Sequence, residues 1–123
     1  MKRKTSRQLD GEIAEHQARA RLRTRVRKLL DKWQPILGVR VDEIHVRKMK
    51  SYWASINEHA SRMWVSLDLV NQPQKYLECV VVHELIHMLT NGHDAKFYAL
   101  MDQHLPRWRK VHQTFAGPMT QHS

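Results

Sequence analysis

The chain is poor in cysteine. Among its 123 residues only Cys79 carries a thiol, which excludes an internal disulfide framework and a cysteine-rich zinc ribbon. Long apolar runs are missing as well. The run Cys79 to Val82 is cut by His83 and Glu84, and no run approaches a membrane span, so none is expected. The basic start Met1-Lys2-Arg3-Lys4 is not followed by the apolar stretch of a secretory leader, and the expected setting is reducing and cytoplasmic. No internal repeat, low-complexity tract or interdomain linker is recognisable. Acidic residues are also few, 12 against 21 Lys and Arg, for a formal net charge of +9.

What is present suits one domain: 41% of the residues are apolar, enough for a core at this length. The charge is uneven. Residues 1–32 hold 11 basic and 4 acidic side chains, a net of +7, and the rest of the chain holds only +2. This basic segment reads as a helix. No Gly or Pro interrupts Glu12 to Gln34, helical spacing puts Leu22, Val26, Leu29 and Trp33 on one face, and Pro35 with Gly38 is expected to close it. Arg19, Arg23 and Arg27 are candidates for contact with a nucleic acid or other polyanion. The plainer reading is a solvated basic face on a packing helix, because no aromatic interleaving or nucleic-acid motif accompanies it.

The middle of the chain predicts short strands. Val39, Val41, Ile44 and Val46 give one or two through about Met49, and Tyr52–Ile56 and Met63–Leu67 give two more around a turn at Asn57–Ser61. Asn71-Gln72-Pro73 marks a helix start.

The segment Val80-Val81-Val82-His83-Glu84-Leu85-Ile86-His87 contains the spacing H-E-x-x-H. On a helix, His83 and His87 are one turn apart and offset by about 40°, so both imidazoles reach one metal ion. Glu84 lies about 100° round from His83, where a general base can take a proton from a water at the metal. A tetrahedral zinc with one open position needs a third protein ligand, and His93 is the best candidate. Asn91-Gly92 can end the helix near Thr90 and turn the chain back, with Asp94 capping a further helix from Ala95 to about Leu105, stopped by Pro106. The apolar flanks mark a buried helix, on which His and Glu need partners. Two other readings stay open on residues alone: a structural metal site without catalysis, and a polar trio bonded within the core. His45, His59, His104, His112 and His122 are expected to have no site role, Cys79 to be a small core residue, and the four tryptophans to be core.

These residues resemble the YgjP-like metallopeptidase domain, within the zincin group that includes SprT-like proteases. The resemblance rests on Arg47-Lys48-Met49-Lys50-Ser51-Tyr52-Trp53-Ala54-Ser55, on Met63–Leu69 followed by Pro73, and on Val80–Tyr98. It spans about residues 22–115. It implies one Zn2+ on His83, His87 and His93, with Glu84 as catalytic base and a peptide or protein as substrate. Ala54 and Ile56 depart from the family's Gly and frequent Cys on a strand expected to flank the cleft, which bears on substrate fit. Thr90 stands where a metzincin has Gly, which argues against that group.

The expected architecture is α+β: a zincin-like minimal domain whose small twisted sheet of three or four strands packs on a buried zinc-binding helix, Pro73 to about Thr90, with a basic N-terminal helix. The expected divisions are a basic arm (1–21), the metallopeptidase domain (22–115) and a C-terminal tail (116–123). An extended substrate can pair with the exposed sheet edge. Tyr98 and Tyr52 are the only guesses for a residue that stabilises the oxyanion. The alternative function is a zinc-containing nucleic-acid-associated or accessory module with weak or no hydrolysis.

Overall fold

The computed structural model describes residues 3–49 and 53–115; the expected tail and Tyr52 lie outside them. A long helix α1 (Ser6–Leu37) leads into three strands, β1 (Glu43–Arg47), β2 (Ala54–Asn57) and β3 (Arg62–Ser66). A 3-10 turn (Leu67–Asn71) connects to α2 (Gln74–His87), followed by α3 (Ala95–His104) and α4 (Trp108–Phe115). The 3-10 turn and α4 are additions to the elements read from the sequence.

Helix α1 has 32 residues and is about 48 Å long. It begins inside the basic arm, which is expected to be helical, where Thr5 and Gln8 form a capping box, each side chain bonding the other's backbone N–H. It also runs through Pro35 rather than stopping there. In the last turn a proline removes only the bond to the carbonyl four residues back, and Gly38, at φ 69°, closes the helix by donating to the Gln34 carbonyl. The buried stripe begins only at Leu22 and continues through Val26, Leu29, Leu30, Trp33 and Leu37. No residue from Ser6 to Arg21 is buried.

The sheet order is β1-β3-β2, with β1 parallel and β2 antiparallel to β3. The β2–β3 hairpin turns through Glu58–Ser61, where Ser61 takes φ 49° and the Asn57 side chain accepts from the Ala60 N–H. The register aligns Ile44 with Met63, Val46 with Val65, and Ala54 with Val65, so one face is apolar and buried. On the other face the Arg47 guanidinium lies 3.8 Å from the Trp64 ring centroid. Helix α1 packs under β1, and α2 under β2 and against α1. Trp33 Nε1 and Lys32 both bond Glu78 Oε2, at 2.8 and 2.9 Å, and tie the two helices together. Arg25 donates to the carbonyls of Val70 and Gln72 and so fastens α1 to the 3-10 turn. No helix of the described residues is long and apolar enough to cross a membrane.

Candidate metal centre

Helix α2 is buried on nearly every side: Tyr76, Leu77, Val80, Val81, Val82, Leu85 and Ile86 all belong to the core. Against this apolar background three polar side chains occupy its last two turns. Glu84 is 3% and His87 7% exposed, and His83 is half-buried. The helix ends at His87, one turn before the expected Thr90, with Met88 as its cap. The next residues reverse the chain. Gly92 adopts φ 69°, and the Thr90 hydroxyl sits 3.2 Å from the Ile86 carbonyl and 3.1 Å from that of Gly92. Asp94 accepts from the Phe97 N–H at 2.9 Å and caps α3 as expected.

This reversal brings His93 back over α2. The Nε2 atoms of His83 and His87 are 3.0 Å apart, and His93 Nε2 is 3.2 Å from each. Tetrahedral coordination at the usual zinc–nitrogen distance separates two nitrogens by about 3.3–3.4 Å. The three imidazoles therefore converge with the spacing that one small cation asks for, and they are the only such cluster among the described residues. His87 stands in the last turn of α2, whose negative dipole end favours a cation.

Phe97 packs against all three imidazoles. It is 1% exposed, and its ring centroid lies 4.9 Å from that of His83, 5.0 Å from His87 and 4.5 Å from His93. One buried ring thus orients all three imidazoles.

A cleft of about 370 Å³ is lined by His83, His93, Phe97 and Tyr98 together with Trp108, Arg109 and His112 of α4. The sequence reading gave His112 no role and placed Trp108 in the core. The missed signal is α4 itself, a short amphipathic helix directly after Pro106-Arg107. Trp33, by contrast, is a core residue as expected. Cys79 is buried too, and that burial, with Glu78 nearby, pushes its thiol up to about 11.

Arg19, Arg23 and Arg27 lie apart from this cluster on α1. Arg19 bonds the Val46 carbonyl and pairs with Glu15, whereas Arg23 is exposed.

Residues 1–117 match the family model of the YgjP-like metallopeptidase domain. The chain belongs to this family. As a YgjP-like domain it is a metal-dependent peptidase acting on a peptide or protein substrate. Its fold is shared with two solved metallopeptidase zymogens. Abylysin of Pyrococcus abyssi superposes with a TM-score of 0.65 at 20% identity, over 72% of this chain and 90% of that one. Jannalysin of Methanocaldococcus jannaschii superposes with 0.64 at 18% identity, over 72% and 85%. No curated protein matches the chain in sequence.

Proposed function

We propose that this YgjP-like domain is a zinc peptidase in which His83, His87 and His93 hold one zinc ion and Glu84 is the general base. The observation behind this reading is the convergence of three Nε2 atoms within 3.2 Å beside a buried Glu84. The donor set suits zinc: three neutral imidazoles leave a fourth position open, whereas structural zinc sites are closed by four protein ligands. When bound, zinc supplies Lewis acidity to the scissile carbonyl and makes a water acidic enough to ionise near neutral pH. Glu84, one residue along the helix from His83, takes the proton of the attacking water and passes it to the leaving amine. Its burial keeps bulk water from competing for that proton. Strand β2, at the sheet edge over α2, offers backbone groups with which an extended peptide can pair.

The test is Glu84→Gln with metal analysis alongside. Zinc content is expected to stay at the wild-type level while hydrolysis of a responsive peptide falls by about 10²–10⁴-fold. Wild-type turnover in that variant overturns the role of Glu84, and a zinc-free wild-type protein overturns the metal assignment.

A second activity is supported by α1. Residues 17–28 hold six cations and no acid. Arg19 and Arg25 are engaged with backbone carbonyls, but Arg21, Arg23, Arg27 and Lys28 form no ion pair among the described residues. An unneutralised cationic face of this kind favours a nucleic-acid backbone. Charge reversal at Arg21, Arg23 and Arg27 is expected to weaken DNA or RNA retention at low salt and to lower the salt slope by about 3. Unchanged retention removes this reading and leaves the peptidase reading intact.

A further inference from the structure

We propose that His112 is a further catalytic residue of this centre, donating a hydrogen bond to the carbonyl oxygen of the peptide bond under attack. The proposal rests on the peptidase reading above. It starts from an asymmetry in the cleft. Three histidines line it, His83 and His93 of the converging set and His112 of α4, which stands outside that set. His112 is not a ligand candidate, because the donor atoms that gather within 4.8 Å of one another belong only to His83, His87 and His93 among the described residues. It is therefore an imidazole that shares the cleft with two of the three converging histidines without joining them.

Attack on a peptide carbonyl builds negative charge on its oxygen, and a donor placed where that charge develops stabilises the transition state more than the ground state. The cleft holds several donors, and two of them are engaged with one carboxylate. Trp108 Nε1 donates to Asp102 Oδ1 at 2.8 Å, and the Arg109 guanidinium is paired with the same carboxylate. Gln113 is exposed, and Tyr98 is 40% exposed with its ring stacked on Trp108. His112 is half-buried, and its ring meets the Trp108 ring edge-on at 6.4 Å.

The same contacts explain how a short helix can hold a group in position. Asp102 on α3 binds both Trp108 and Arg109, and Arg109 lies 4.6 Å over the Trp108 ring. The Leu105 N–H bonds the Met101 carbonyl, and the Trp108 N–H bonds that of Leu105, so the α3–α4 corner is tight. Val111 packs on the core, and α4 rests on α2. His112 is one turn after Trp108 and shares its face of α4.

The experiment compares wild type, His112→Ala, His112→Gln and Tyr98→Phe as zinc-loaded full-length proteins. Steady-state kinetics use a fluorogenic peptide, elemental analysis gives zinc content, and affinity is measured for a phosphinic peptide, whose tetrahedral anion mimics the transition state. His112→Ala is expected to lower kcat by about 10²–10³-fold, with KM and zinc content unchanged. Phosphinic affinity falls by a similar factor, and His112→Gln, which keeps a donor, recovers part of both. An unchanged kcat, a rise in KM alone, loss of zinc, or a loss seen only in Tyr98→Phe overturns the proposal. Absence of turnover in the wild type counts against the peptidase reading instead. The phosphinic affinities then decide His112, and equal values for wild type and His112→Ala overturn its role.

Discussion

The last two turns of α2 and the first four of α1 are both rich in groups that carry or can carry charge, yet they behave oppositely. Around His83, Glu84 and His87 every neighbouring position on α2 is core. Between Ser6 and Arg21 nothing is buried, and Leu9 and Ile13 are 46% and 56% exposed. A polar group inside the core must find a partner or destabilise the fold, so its presence there is informative about chemistry. A charge in water has little effect on stability either way, so the arm's exposed arginines, unlike Arg19 on the Val46 carbonyl, speak to what the protein meets.

The strongest challenge to this contrast is Phe97→Ala. Removing the fully buried ring is expected to lower stability by about 3–5 kcal/mol in denaturant titrations. Because the same ring orients all three imidazoles, zinc affinity should fall with it by about 10–100-fold, read by competition with a chelating dye. Stability lost without any change in zinc affinity would separate the core from the metal centre.

Acid tests the α3–α4 corner. The Asp102 carboxyl is held below the usual range by its bonds from Trp108 Nε1 and then from Arg109. A depressed carboxylate contributes stability that is present above its unfolded value, near 3.9, and is lost as pH falls through the folded value. The native Trp108 fluorescence environment should therefore persist at pH 5 and change only below about pH 4, and Asp102→Asn should abolish that transition. A transition centred near pH 6 would assign the corner to a different group.

The smallest effect is expected on the arm. Ile13→Ala should change stability by less than about 0.5 kcal/mol, because the side chain is already more than half exposed. A loss of 2 kcal/mol or more would mean that the arm is covered in solution, and sedimentation would show whether a second copy covers it.

Much of the centre is legible without coordinates because its determinants are local. His83 and His87 share a face through helical periodicity alone, and Glu84 follows from the same geometry. Asp94 reads as a cap, and Asn91-Gly92 as a reversal, since few residues other than Gly and Asn accept the left-handed conformation that Gly92 adopts. The helical spacing of Leu9 and Ile13 is legible in the arm, and the Thr5–Gln8 capping box fixes where that helix starts. Pro35 misleads because it costs one helical bond, and so close to the end the Gly38 cap still holds the last turn.

The rest required tertiary structure. The pairing of β1 with β3 joins segments with β2 between them, and no local pattern selects it over pairing with β2. The packing of Phe97 against three imidazoles depends on how α3 folds against α2, not on spacing. The α4 part of the cleft depends on Asp102 drawing Trp108 and Arg109 together across a helix corner. The sequence by itself determined which side chains can meet a metal, since these lie within one helix and one turn, where backbone geometry dictates direction. Only the tertiary structure decided what shares the cleft with them, because that juxtaposition comes from the packing of helices whose contacts no periodicity encodes.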